Sequence, residues 1–218
     1  MSDDRSQQAM VAPANSKVDG KIWMNDAEHP TVTRLDVKTG KIDPWILPFK
    51  SLLDTRHGAY GIYTDSHNNA FLLDFPSQFI WKIDAKTGVV TGFKTPSDNS
   101  RPRRGRMDSQ DRLVFAEYGA EKVAMFDTRS GAFTEWRVPG AFVAPYDAQI
   151  DKAGWIWTGN MTDDLVTRID SKTEQTIQYL MPIETNLRRV SVDDTGVRPA
   201  LWVGSNHQAT VMKVEPLD

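Results

Sequence analysis

RPRRGRMDSQDRLVFAEYGAEKVAMFD, from Arg101 to Asp127, decides the fold because its landmarks return along the chain at a nearly constant interval. An arginine pair opens a short strand, a polar turn follows, and LVFAE and KVAMFD alternate as two further strands. The next segment, TRSGAFTEWRVP, supplies a turn and a fourth strand. The stretch is therefore most of one copy of a four-stranded unit.

The other copies align on the residue at the centre of the second strand, at intervals of 48, 43, 43 and 45 residues. These anchor residues are Trp23, Phe71, Val114, Trp157 and Trp202. A period in the low forties with four short strands is typical of β-propeller blades, which bury their faces only against their neighbours. The sequence therefore predicts an all-β propeller of antiparallel blades, with the anchor tryptophans packed between blades.

The predicted blades cover residues 18–56, 57–100, 101–142, 143–186 and 187–218, and residues 1–17 are predicted to be a disordered arm or a partial strand. The first blade lacks its first strand unless Met10 to Ala14 provides it, and the last stops before its fourth. About four and two-thirds blades are present. They form either part of a seven-bladed propeller or a five-bladed ring, and open sheet edges favour self-association or pairing with missing blades.

Composition narrows the partners. The formal net charge of -3 gives no general attraction to nucleic acid, and the run RPRRGR has no interleaved aromatics. The absence of cysteine excludes disulfides and thiolate metal sites. No stretch resembles a signal peptide or a membrane span, so no membrane association is expected; a bacterial periplasmic or secreted location follows only if the chain derives from a longer parent.

Two sets of repeat-equivalent residues carry the polar chemistry. The first lies eleven residues before the anchor, or fourteen in the last blade after a three-residue insertion, and contains Tyr60, Arg103, Tyr146 and Arg188. The second lies three residues after the anchor and contains Asp26, Asp74, Glu117, Asn160 and Ser205. Because strands one and two form an antiparallel hairpin, both sets are expected at the same end of their blades, near the mouth of the central channel.

This end of the blades is the predicted ligand site. Arginines there suit an anionic or carbonyl-bearing small molecule, and the carboxylates suit a divalent cation such as Mg²⁺ or Ca²⁺. Alternatively, the arginines only neutralise the carboxylates in a water-filled channel. The candidate ligand-binding residues are Tyr60, Arg103, Arg104, Glu117, Tyr146, Asn160, Arg188, Arg189 and His207, with Asp74 and Glu117 as candidate metal ligands. The other histidines, His29, His57 and His67, are expected to be solvated loop residues.

The stretch FAEYGAEKVAMFDTRSGAFTEWRVPGAFVAPYDAQID, from Phe115 to Asp151, resembles the repeats of streptogramin B (virginiamycin B) lyases. That family's blades read roughly R-P-H-x-I, then L-W-F-T-E-x-x-x-N-K-I-G-R-I-D, then G-x-I-x-E followed by an aromatic. The resemblance covers about residues 18 to 218 and implies a seven-bladed propeller with its chemistry at the channel mouth.

The family's catalytic residues are not retained. Its first His corresponds to Arg103, its E-P-H triplet to Ala144, Pro145 and Tyr146, and its last Glu to Met161. If the last blade is aligned with the E-P-H blade instead, the His corresponds to Arg188. Ring opening by that mechanism needs a general base near neutral pH, a role for which Tyr and Arg are poorly suited.

Two functions therefore stay open. One is a virginiamycin B lyase-like propeller that binds a small polar or anionic ligand without streptogramin lyase activity. The other is a metal-assisted lyase or lactonase-like enzyme that uses Asp74, Glu117 and Asn160 around a cation.

Overall fold

The computed structural model describes residues 8–12, 16–26, 31–48 and 58–217. Apart from one short helix, α1 (Ser16–Asp19), the regular elements in these ranges are antiparallel β-strands. The described part of the chain contains no helix with the length and apolar character needed to cross a membrane. The chain forms two compact units, Met1–Pro102 with Ser109–Asp111, and Arg103–Asp108 with Arg112–Asp218.

The first unit contains two four-stranded sheets, each a meander in which neighbours in sequence pair with one another. Sheet 1 consists of β1 (Gln8–Ala12), β2 (Lys21–Asp26), β3 (Thr31–Asp36) and β4 (Ile42–Ile46). Sheet 2 consists of β5 (Ala59–Thr64), β6 (Ala70–Asp74), β7 (Phe79–Ile83) and β8 (Val90–Lys94).

The second unit contains three sheets of the same pattern. Sheet 3 consists of β9 (Pro102–Met107), β10 (Arg112–Glu117), β11 (Lys122–Asp127) and β12 (Phe133–Arg137). Sheet 4 consists of β13 (Pro145–Ile150), β14 (Trp155–Asn160), β15 (Leu165–Asp170) and β16 (Thr176–Leu180). Sheet 5 has three strands, β17 (Leu187–Asp193), β18 (Ala200–Ser205) and β19 (Thr210–Val214).

The five sheets confirm the predicted all-β fold of repeated antiparallel blades. The first strand of sheet 1, left open by the sequence, is β1. The four-residue helix α1 was not predicted. The predicted boundary between the first two blades, at residues 56 and 57, lies outside the described residues, as do His29 and His57.

The aspartate that ends the third strand organises the turn after it. One carboxylate oxygen accepts the N–H groups two and three residues on in all four complete sheets, at Asp36, Asp84, Asp127 and Asp170. These donors lower the pKa of each carboxyl. The fourth residue after the aspartate has positive φ, and it is glycine in three turns but Glu174, with φ 63°, in the last. Sheet 4 therefore has a strained turn where its counterparts have none.

Successive sheets within a unit pack face to face. In the first unit, Trp23 and Val32 of sheet 1 lie in one cluster with Ile62 and Leu72 of sheet 2. In the second unit, sheet 3 packs on sheet 4 around Val114 and Ile156, and sheet 4 packs on sheet 5 around Trp157 and Leu201. Cores shared between neighbouring sheets are the packing that a repeat architecture requires.

The expectation that all anchor tryptophans are buried is wrong for Trp202. Trp23 and Trp157 are fully buried, but Trp202 of β18 is 42% exposed. In sheets 1 and 4, the equivalent face is covered by a fourth strand and by the next sheet of the unit. For sheet 5, the described residues include neither a fourth strand nor a following sheet.

Replacing Glu174 by Gly should stabilise the protein by about 1 kcal/mol, because glycine adopts positive φ without the steric cost that glutamate has. Thermal or urea unfolding measures the change. Glu184→Gly, at another exposed glutamate, serves as the control and should be neutral or destabilising. Equal effects of the two substitutions would contradict strain at the Glu174 turn.

Candidate ligand-binding site

Three residues of the first predicted set, Tyr60, Tyr146 and Arg188, lie at irregularities between the first and second strands of their sheets. In sheet 4, Pro145 pairs with Asn160 and Asp147 with Gly159, so Tyr146 is an extra residue in a β-bulge. In sheet 2, Tyr60 has the same position next to the Ala59–Asp74 pair, and in sheet 5 Arg188 has it next to the Leu187–Ser205 pair. Bulges redirect side chains at sheet ends. Within each of these hairpins, the two predicted sets therefore meet at one end.

In the first unit, Tyr60 and Asp74 have structural contacts. The Tyr60 ring lies 5.3 Å from that of Phe75, and the Arg101 guanidinium lies 4.4 Å from the same Phe75 ring. The buried Asp74 accepts a hydrogen bond from the Gly58 N–H at 2.9 Å and another from the Trp81 indole at 3.0 Å. The two carboxylate oxygens of Asp74 thus connect the end of β6 to Gly58, just before β5, and to Trp81 of β7.

In the second unit, Arg103 lies between two tyrosines. Its guanidinium carbon is 4.5 Å from the centre of the Tyr118 ring and 4.0 Å from that of Tyr146. Arginine stacks on aromatic faces in this way through cation–π attraction. The structure therefore brings Arg103 and Tyr146, predicted from different blades, into direct contact.

A line of polar contacts extends from Arg103 to Arg188. Arg103 Nη1 lies 3.6 Å from the Met161 sulfur, and the Met161 carbonyl accepts a hydrogen bond from Asn186 Nδ2 at 3.0 Å. Asn186 Oδ1 in turn accepts a hydrogen bond from Arg188 Nε at 2.7 Å. Sheets 3, 4 and 5 therefore each contribute to one connected group of side chains, in which Asn186 positions Arg188.

Asp147, next to Tyr146 in β13, is buried, and several arginines act on it electrostatically. Burial raises its pKa to about 6, opposed first by the charge of Arg189 and then by the Val190 N–H bond and the charges of Arg104 and Arg106. Asp147 Oδ2 accepts the Val190 N–H at 3.3 Å, while Oδ1 has no hydrogen-bond partner among the described residues. Asp147 therefore titrates close to physiological pH, in spite of its cationic neighbours.

Glu117 is the other carboxyl with a strongly altered pKa. Its side chain is fully buried at the end of β10, and neither oxygen has a hydrogen-bond donor among the described residues. Burial, and after it the charge of the neighbouring Glu135, raises the pKa of Glu117 to about 8, although Lys122 opposes the shift. Lys122 Nζ pairs with Glu135 Oε2 at 2.6 Å. Glu117 is therefore mostly protonated at neutral pH.

The remaining candidate residues differ in how far they are buried. Asn160 is buried and its Nδ2 donates to both oxygens of Asp163, at 3.0 and 3.1 Å. Arg104 is half-buried, with its guanidinium carbon 5.7 Å from the Tyr146 ring, and Arg189 is exposed. His207 is exposed in the turn after β18, next to Asn206, whose N–H donates to the Asn186 carbonyl at 3.1 Å.

No three His, Asp or Glu side chains in the described ranges are grouped as ligands of a metal ion. The assignment of Asp74 and Glu117 as ligands of Mg²⁺ or Ca²⁺ stays a prediction. Asp26 ends β2, but its side chain lies outside the described part of the structure.

Sequence reasoning missed Tyr118, Asp147 and Asn186 as site residues, and it named Met161 only as the residue that aligns with the lyase family's last Glu. The signal for Asp147 was present, because it occupies the same place in its blade as Gly61, Arg104 and Arg189, one residue after each member of the first set. An aspartate between two repeat-equivalent arginines indicates charge contact across neighbouring blades. Tyr118 and Asn186 lie in connections between strands, where the repeat is too irregular to predict their direction.

Solved structures of virginiamycin B lyase have a fold similar to that of this chain. A catalytically inactive virginiamycin B lyase from Staphylococcus aureus, with quinupristin, matches at a TM-score of 0.77 and 16% identity over 100% of this chain and 72% of that one. The chain has the fold of virginiamycin B lyase. A selenomethionine-substituted form of the S. aureus lyase matches at 0.73 and 16% identity, over 92% of this chain and 68% of that one. A streptogramin B lyase structure matches at 0.71 and 15% identity, over 92% and 66%.

The likeness to virginiamycin B lyase is one of fold. No protein-family model matches the chain, and a search of curated proteins finds no match either. At 15 to 16% identity, a shared backbone does not carry over an activity.

Glu117→Gln should remove a decline of stability with pH. Since the folded protein holds a proton on Glu117 that the unfolded chain releases above pH 4.5, the wild-type free energy of unfolding falls as pH rises from about 4.5 to about 8. The variant, which cannot ionise there, should be more stable than wild type by about 1 to 3 kcal/mol at pH 8. Urea unfolding at pH 5 and pH 8 measures this, with the exposed Glu184→Gln as control; parallel pH profiles for Glu117→Gln and wild type would contradict the raised pKa.

Proposed function

We propose that this virginiamycin B lyase-like propeller binds a small anionic or carbonyl-bearing ligand at the arginine face, defined as Arg103, Arg104, Arg188 and Arg189 with Tyr146. One observation carries the proposal. Strands β9 and β17 contain five arginines, three of which act electrostatically on Asp147, the only carboxyl residue of β13. Because three arginines act on this one carboxyl, the local potential favours a bound anion, and it does so more strongly when Asp147 is protonated below its pKa of about 6.

The arginines at the two ends of the contact line are held in place before any ligand arrives. Arg103 is fixed by the two tyrosine rings, and Arg188 is fixed through Nε by Asn186. Among the described residues, no carboxylate pairs with Arg188. An oriented guanidinium can donate two parallel hydrogen bonds to a carboxylate or phosphate without a large loss of side-chain entropy on binding.

The same residues argue against streptogramin lyase chemistry. The positions that align with the lyase family's His and Glu residues hold Arg103, Ala144, Tyr146 and Met161. Arginine stays charged at any physiological pH and cannot accept a proton, and Tyr146 is engaged by Arg103. We therefore propose a binding function in which the fold is retained and the lyase reaction is not.

The metal-assisted lyase or lactonase-like alternative has less support. It uses Asp74, Glu117 and Asn160, but the Asp74 oxygens already accept two hydrogen bonds, and Glu117 is mostly protonated at neutral pH. A protonated carboxyl is a poor ligand for Mg²⁺ or Ca²⁺. A calorimetric titration with either ion at millimolar concentration tests the metal-assisted alternative. If that alternative is right, the ion binds saturably to the wild type and Glu117→Gln abolishes the binding.

Arg103→Ala and Arg188→Ala should each weaken binding of a small anion at least tenfold, because each removes a charge-assisted pair of hydrogen bonds. Inorganic phosphate and acetate serve as probes in NMR titrations at constant ionic strength. The exposed Arg198→Ala is the control for the loss of one positive charge. Melting temperatures should stay within a few degrees of wild type. If both site variants bind like Arg198→Ala, the arginine face is only a structural charge network.

Anion affinity should also rise as the pH falls through about 6, since protonation of Asp147 removes the negative charge that faces Arg104, Arg106 and Arg189. Asp147→Asn should bind phosphate several-fold more tightly than wild type at pH 7.5, and its affinity should change much less between pH 7.5 and pH 5.5. Acetate, titrated across the same range above its own pKa, controls for the ionisation of phosphate. A wild-type affinity that is flat through pH 6 for both probes would contradict this role of Asp147.

A further inference from the structure

The connection between β12 and β13 presents a phenylalanine to solvent. Phe142 is 86% exposed, whereas Val143 and Ala144, which follow it, are buried. Its backbone also has positive φ, at 58°. A bulky side chain is disfavoured in this left-handed region, and an exposed phenyl ring contributes no hydrophobic stabilisation. Phe142 is thus unfavourable for the stability of the fold on two counts.

The equivalent residue one repeat earlier shows which side chain suits this conformation. Asn99 lies 43 residues before Phe142, in the connection between β8 and β9, and its φ is 52°. Asparagine is one of the few residues that adopt positive φ readily, because its short polar side chain bonds locally. Both connections therefore need a left-handed residue at this position. The need of the backbone explains Asn99, but it does not explain Phe142.

Hydrogen bonds on both sides hold Phe142 in this conformation. The Phe142 carbonyl accepts a hydrogen bond from Thr162 Oγ1 at 2.9 Å. Two residues on, the Ala144 carbonyl accepts one from the Met161 N–H at 3.0 Å. The surrounding structure thus fixes the strained residue in place. Strain that is maintained in this way is concentrated at binding and catalytic sites.

The same contacts connect Phe142 to the arginine face. Thr162, which donates to the Phe142 carbonyl, directly follows Met161 in the chain. The sulfur of Met161 lies 3.6 Å from Arg103 Nη1. The exposed ring is therefore carried by a segment that is bonded to the residues next to the Arg103 guanidinium.

Arg103 also lies among groups that suit an apolar ligand. Besides the thioether of Met161, the rings of Tyr118 and Tyr146 lie 4.5 and 4.0 Å from its guanidinium carbon. Thioethers and aromatic rings make favourable contacts with other aromatic rings. A positive charge in such surroundings favours an anion that carries an aromatic group over a small hydrated anion.

We infer that the ligand of the arginine face is an aromatic carboxylate, whose carboxylate binds Arg103 and whose ring packs against Phe142. This inference rests on the proposed anion binding and adds the chemical class of the anion. Contact with the ligand ring buries the phenyl group that is exposed in the free protein. Phe142 is therefore a specificity-determining residue, since it selects the apolar part of the ligand while the arginines bind its charge.

Benzoate and acetate are matched probes, because each carries one carboxylate that is ionised at pH 7.5. In NMR titrations at constant ionic strength, the wild type should bind benzoate about tenfold more tightly than acetate, through the added ring contact. Intermolecular NOEs should join the benzoate ring protons to Phe142.

Phe142→Asn, which introduces the side chain of the equivalent Asn99, should lose most of the benzoate preference and keep the wild-type affinity for acetate. Its melting temperature should equal or exceed that of the wild type, since asparagine relieves the strain at positive φ. Phe142→Tyr keeps the ring and should keep the preference. The control is Val197→Asn, at a fully exposed valine of the β17–β18 connection, which should bind both anions like the wild type.

The outcomes separate this inference from the proposed function. Equal wild-type affinity for the two anions, or a benzoate preference that Phe142→Asn leaves intact, overturns the inference. The proposed function stands in either case if Arg103→Ala weakens acetate binding. If neither anion binds, or if Arg103→Ala affects neither, the proposed function fails as well. Self-association of the wild type that Phe142→Asn abolishes would assign Phe142 to an interface and overturn the inference.

Discussion

Face-to-face burial of one sheet against the next is the constraint on which the rest of the structure depends. A small twisted sheet with apolar side chains on both faces cannot satisfy either face alone, so each blade needs a neighbour. The approach is close: a Cβ on Gly159 of sheet 4 would lie 2.8 Å from the Leu187 Cβ of sheet 5. Such contacts fix where each hairpin end lies, and the side chains at those ends form the site.

The same burial creates the unusual electrostatics. Asp147 and Glu117 titrate near neutrality because packing removes them from water, the first against the attraction of three arginines and the second beside another carboxyl. Groups with altered pKa values are common at functional sites, where burial and neighbouring charges act together. In this protein, Arg104, Arg106 and Arg189 act on the buried carboxyl of Asp147, which loses its negative charge by protonation under mildly acidic conditions.

The similarity between this chain and virginiamycin B lyase is a similarity of backbone fold. The backbone agrees with the lyase structures at TM-scores of 0.71 to 0.77, while identity is only 15 to 16%. A propeller mouth gathers side chains from several blades whatever their chemistry is, so the scaffold can be kept while its residues change. In this chain, the guanidinium of Arg103 lies between the rings of Tyr118 and Tyr146.

The sequence by itself determined the repeat, the strands, their antiparallel order and the turns closed by aspartate, because these follow from local alternation and from a period near 43 residues. It also brought Arg103 and Tyr146 into the same set, since repeat-equivalent positions occupy equivalent places in neighbouring blades. Only the tertiary structure decided that Asp147 is buried among arginines, that Glu117 holds a proton, and that Trp202 is exposed although Trp157 is not. Burial and pKa depend on which surfaces of other sheets face a residue, and a pattern within one blade carries no information about what covers it.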